Sequence, residues 1–155
     1  MRVTQVTRGR EFVVAIDHGE DFFTALNTFC TEHGVRCGYI PTFLGGFSSA
    51  RLVGSCEPLQ NPEAPLWEHI EVHALEALGT GTLAWDPEKD CLAPHIHVSA
   101  GVKSASADGR TSHLLDATVQ FIAELVIVEI AGPNLTRPRL PSLFNVPLLT
   151  FDEQH

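Results

Sequence analysis

Two histidines separated by a single residue, His95 and His97, and a third at His113 are the side chains of this 155-residue chain best suited to chemistry. Pro94 opens the extended run Pro94-His95-Ile96-His97-Val98-Ser99-Ala100. In a strand, side chains two apart project from one face, so His95 and His97 stand together while Ile96 and Val98 turn to the other side. The small and polar stretch 103–111 then returns the chain to His113, which heads a second apolar run. If the two runs pair antiparallel, His113 comes within reach of the other two rings. Three neutral imidazole nitrogens that hold a divalent ion and leave a position for water have the form of an open zinc site. Zinc leads the candidates; nickel, copper and iron accept the same donors, and geometry decides among them. The competing reading is of three hydrogen-bonded core or interface histidines, because His-x-His also occurs in strands without a metal.

Two carboxylates could stand behind such an ion as ring partners or proton shuttles, Glu124 and Glu76. Glu124 lies on an otherwise oily strand face, where an interface carboxylate is the alternative. Asp116 comes three residues after His113 and would face the opposite way. Other chemistries lack their residues. A cupin-type oxygenase needs a carboxylate shortly after His-x-His, where Gly101 and Val102 stand, and no Gly-x-Ser-x-Gly elbow is present. Gly45-Gly46 is followed by neither a lysine nor a helix start, which favours a structural glycine pair over a phosphate cradle.

The elements that must position these side chains follow from periodicity. Residues 11–17 form a β-branched strand, and Asp21 caps a helix of about three turns whose stripe is Phe22, Phe23, Leu26, Phe29 and Cys30. Gly34 stops that helix. Residues 38–44 and 47–53 read as strands joined by a kink or bulge at Gly45-Gly46. A proline-rich loop covers 57–65. A strand over 67–75 places Ile70, Val72 and Ala74 on one side, and His69, Glu71, His73 and Leu75 on the other. Its histidines are expected at solvent or an interface. A further strand over 80–85 turns through 86–90 and re-enters at Pro94.

The run 113–131 is apolar on both faces: Val119, Phe121, Ala123, Leu125 and Ile127 on one, and Ile122, Val126, Val128 and Ile130 beside Glu124 on the other. A strand of that kind is covered on both sides, by the helix and by another subunit. Residues 132–155 carry four prolines among apolar residues, which rules out a regular helix and places this stretch extended over its own domain or a neighbour. The organisation expected is a domain over 1–131 with a C-terminal extension over 132–155.

A net charge of −9 disfavours broad affinity for a phosphate backbone. The four cysteines form no Cys-x-x-Cys pair and are expected to be reduced thiols in a cytoplasmic protein. No stretch approaches a membrane span, and the N-terminus has no signal-peptide core.

Gly19-Glu20-Asp21 before the helix, Gly34 after it, Gly45-Gly46-Phe47-Ser48, Pro94-His95-Ile96-His97-Val98 and His113-Leu114-Leu115 occur in the order seen in the plant-and-prokaryote conserved (PPC) domain, which residues 10–131 resemble. The resemblance implies an α+β fold, a mostly antiparallel mixed sheet wrapped around one main helix, assembled as a homotrimer. It implies a DNA-binding or transcription-associated module, and a metal site at His95, His97 and His113. Two stretches depart from the plant pattern. Arg8-Gly9-Arg10 is followed by Glu11, where an AT-hook has proline, so it reads as the entrance to the first strand. The plant partner-binding segment corresponds to His73-Ala74-Leu75-Glu76-Ala77-Leu78, which keeps only Glu76 and Leu78. The expected function is a trimeric assembly or ligand-sensing module that takes itself, a protein partner or a small ligand, with no membrane contact. The alternative is a small metal-dependent enzyme whose three-histidine ion activates water.

Overall fold

β-Branched and aromatic residues recur at alternate positions through most of the chain, the pattern of strands with one face in a core. The computed structural model describes residues 1–54, 69–102, 105–143 and 145–151. In chain order it holds β1 (Thr7–Asp17), α1 (Phe22–His33), β2 (Gly38–Val53), β3 (His69–Leu83), the short β4 (Trp85–Asp86) and β5 (Cys91–Leu92), β6 (His95–Val102) and β7 (Ala105–Gly132). The C-terminal stretch adds β8 (Leu135–Thr136), β9 (Arg139–Leu140), β10 (Val146–Pro147) and β11 (Thr150–Phe151). The proline-rich loop, Cys56 and the expected strand start at Trp67 lie outside the described residues.

The main sheet runs β1-β7-β2-β3-β6, antiparallel throughout, and β6 also pairs with the start of β7. That last pairing closes a ring of β2, β3, β6 and β7. Its interior is filled by Ile40, Phe43, Phe47, Leu75, Leu83, Ile96, Val98, Leu114 and Val119, all buried. The described residues are thus mainly sheet with one α-helix and a short 3-10 turn at Pro141–Leu143, consistent with the α+β class, and the β4–β8 pair adds a parallel contact.

The helix forms where its caps place it. The Asp21 side chain accepts the Thr24 amide at 2.7 Å, and Gly34 ends the helix with φ of 65°, a left-handed angle that glycine adopts without a Cβ clash. Phe22, Leu26 and Cys30 enter the core, where Phe22 meets Phe43 and Phe47 with ring centroids 5.2 and 5.6 Å apart.

Several expectations need correction. β2 is continuous, its register against β7 shifting between Gly45 and Phe47 as a bulge does without breaking the strand, and β3 runs unbroken through Gly79 and Gly81. These glycines are small because neighbours press on them. A Cβ on Gly46 would meet the Gln120 carbonyl oxygen at 2.5 Å, and one on Gly79 would strike the Phe43 ring. Two alternations also fail. Ala74 adopts φ of 51°, so Leu75 turns inward and leaves the face of His69 and His73. Phe121, expected in the core row, has φ of 71° and is 68 % exposed, while Val119 and Ala123 both stay inside. Its amide donates to His18 Nδ1 at 3.1 Å.

The stretch after Gly132 lays β8 alongside β4. The Leu135 amide donates to Cys37 Sγ at 3.1 Å, and the Arg137 amide to the Trp85 carbonyl at 2.8 Å. No helix among the described residues is long and apolar enough to cross a membrane.

Candidate metal centre

β6 lies between β3 and the start of β7, and the register decides which side chains meet. His97 is opposite His113 on β7 and Thr80 on β3; His95 is opposite Thr82. Directly paired residues share a face, so the three rings collect on the outside of the ring of strands while Ile96 and Val98 fill its interior. The period of two in Pro94-His95-Ile96-His97-Val98 produces this division.

One nitrogen from each of His95, His97 and His113 lies within 4.8 Å of the others. The Nε2 atoms of His95 and His97 are 3.1 Å apart, and the ring centroids are separated by 5.0, 4.9 and 5.4 Å. Zinc–nitrogen bonds of about 2.0–2.1 Å in a tetrahedron set ligand nitrogens roughly 3.3 Å apart. The His95–His97 pair, at 3.1 Å, is close to that spacing, and a His113 nitrogen lies within 4.8 Å of both.

The surroundings of His113 and His95 favour the neutral ring, the form that binds a metal. Burial pushes the His113 imidazole down to about 4, helped by His95, His97 and Arg137. His95 is lowered by burial first, then by Arg137 and His97. A donor set of neutral nitrogens without a carboxylate suits zinc-type ions better than magnesium or calcium, so the residues present fit the expected group.

Arg137 is the neighbour that sequence reasoning missed. It is 4 % exposed, donates from Nε to the Ala93 carbonyl at 3.0 Å and from Nη2 to Thr82 Oγ1 at 2.9 Å, and so sits beside His95. Burial lowers its pKa from the ordinary value. The only trace in the sequence is a charged residue set among prolines and apolar residues near the C-terminus. On the other flank a recess of about 350 Å³ opens between Pro41, Leu78, Thr80, His97, Ser99 and Thr111.

The remaining candidates lie elsewhere. Glu76 is opposite Gly46 and Gly101, four positions along β3 from Thr80, and Glu124 is opposite Leu44 and Ala15. Neither joins the histidine cluster within one chain. Asp116 pairs with Arg51. Arg10 of the Arg8-Gly9-Arg10 stretch is inside β1 and makes a two-pronged pair with Glu129 at 2.7 Å per contact, while Arg8 pairs with Glu11.

Comparison with known proteins agrees with this architecture. The profile of the Plants and Prokaryotes Conserved (PCC) domain matches residues 3–131. The chain is similar to a plant- and prokaryote-conserved protein of Pyrococcus horikoshii, with 20% identity and a TM-score of 0.78 over 100% of this chain and 99% of that one. It is similar to a metal-containing protein of Archaeoglobus fulgidus, with 21% identity and a TM-score of 0.79 over 97% of this chain and 99% of the other. A candidate DNA-binding protein of Ralstonia eutropha follows at 17% identity and a TM-score of 0.71, covering 89% of each chain. No curated protein matches the sequence.

Proposed function

The chain belongs to the Plants and Prokaryotes Conserved domain family, and from that premise we propose that it is a trimeric, ligand-sensing module of the transcription-associated kind, built around a zinc-type ion on His95, His97 and His113. The observation that carries the reading is the convergence of three imidazoles on one face of the sheet. The Archaeoglobus relative, a metal-containing protein, supports the ion.

Assembly is supported by the outer face of the sheet. Leu78, Leu44 and Glu124 lie side by side across β3, β2 and β7, and Val13, Leu44 and Leu78 are 85, 57 and 54 % exposed. An apolar row of this kind is covered by another copy of the chain. Glu124 then serves as an interface carboxylate. Two relatives are candidate DNA-binding proteins, but at −9 this chain repels phosphate, and Arg8 and Arg10 are held by Glu11 and Glu129. Any link to transcription runs through assembly or a partner, in the cytoplasm. The second reading, a small metal-dependent enzyme, is favoured by the recess beside His97; there the ion would supply Lewis acidity to a bound water.

Elemental analysis and mass in solution test the main reading together. The expected result is one ion per chain, lost in His97→Ala, and a particle of three times the 16.9 kDa chain mass. A metal-free wild-type protein refutes the ion, and a monomer refutes the assembly. Turnover of a screened substrate that disappears in His97→Ala would replace the module with the enzyme.

A further inference from the structure

We propose that the histidine face is a receptor for a small carboxylate, held between the ion and the guanidinium of Arg137. The inference rests on the metal reading above and adds the chemical class of the ligand. Arg137 is 4 % exposed, yet its two acceptors, the Ala93 carbonyl and Thr82 Oγ1, are both neutral. No carboxylate pairs with it among the described residues. A buried cation without a counter-charge is costly, and proteins tolerate it where a ligand supplies the missing anion. The guanidinium offers five N–H donors, and the edge not engaged by Ala93 and Thr82 has no acceptor among the described residues.

Its position gives the ligand its second contact. Thr82 is the register partner of His95, so the guanidinium that it anchors lies on the face where the three rings converge. A divalent ion held by the three rings would add a second positive charge to that face, and a carboxylate bound there would answer both charges, its plane matching the planar guanidinium. A single guanidinium, with no helix N-terminus and no second basic side chain beside it among the described residues, suits one negative charge better than a phosphate dianion.

The test is calorimetric titration of the zinc-loaded full chain with lactate and, at matched ionic strength, with inorganic phosphate. Arg137→Gln is expected to weaken lactate binding by at least about tenfold, and Arg137→Lys by less, because charge remains while the planar fork is lost. Zinc affinity in Arg137→Gln should be equal or higher, since a neighbouring positive charge is gone. A merely structural arginine would instead lower zinc and lactate binding together. If Arg137→Gln does not fold, Thr82→Val releases one anchor and should weaken lactate binding severalfold. Lactate affinity unchanged in these variants, or phosphate bound as tightly as lactate, overturns the proposal. A wild-type chain that takes up no zinc overturns the metal reading itself, whereas zinc uptake without lactate binding overturns only the carboxylate receptor.

Discussion

Replacing Gly79 by alanine gives opposite signs depending on whether the packing beneath β3 is what limits this position. At a site with room, Gly→Ala stabilises by about 0.4–1 kcal/mol, because the unfolded chain loses freedom. At Gly79 the new Cβ would lie 2.9 Å from Phe43 Cδ1 and nearer still to Cε1 and Cζ. The ring has nowhere to go: Phe43 is 1 % exposed and packs on Phe22 at 5.2 Å between centroids. Overpacking of this kind costs about 1–3 kcal/mol, so the net change should be a loss of roughly 1–2 kcal/mol. For a chain of this length that lowers the melting temperature by about 2–4 °C per kcal/mol. Urea unfolding followed by tryptophan fluorescence, at fixed protein and zinc concentration, measures it.

A double-mutant cycle with Phe43→Leu identifies the cause. Phe43→Leu alone opens a void at a cost below the about 3–5 kcal/mol of Phe→Ala. In the double variant the added methyl occupies part of that void, and the loss should be smaller than the sum by about 1 kcal/mol or more. Additivity within about 0.5 kcal/mol, or a stabilised Gly79→Ala, refutes the account of β3.

Two further outcomes follow from the caps and the charges. In metal-free protein the His113 pKa is about 4 against an ordinary 6.5, so the unfolded chain protonates first as pH falls. Stability should therefore drop from about pH 6.5 toward pH 4, and His113→Asn should flatten that limb of the urea midpoint against pH; an unchanged slope contradicts the burial argument. Asp21→Ala should cost about 1 kcal/mol by removing the helix cap, and Asp21→Asn much less; equal thermal midpoints for Asp21→Ala and wild type would show the cap to be idle.

The convergence of His95, His97 and His113 is legible in the sequence, because a period of two fixes the shared face and the polar stretch before His113 supplies the return. The helix is equally legible, its apolar stripe bounded by Asp21 and Gly34. The continuity of β2 and β3 is not. Glycine signals a break when read locally, but Gly46 and Gly79 are small to admit Gln120 and Phe43, partners distant along the chain. Ala74 and Phe121 resist prediction for a related reason: left-handed angles at non-glycine residues are imposed by tertiary packing. Arg137 joins the site only through the pairing of β8 with β4, a contact between short segments that carry no periodicity of their own.

The ring of strands is completed at one place, the pairing of β6 with β7, and the three imidazoles straddle that seam, two on one strand and one on the other. A cation clasped there would act as a rivet across the closure, so that prying the seam apart and losing the ion become one event. Stability would then rise with free metal as RT ln(1 + [M]/Kd), making the firmness of the whole barrel a readout of metal supply.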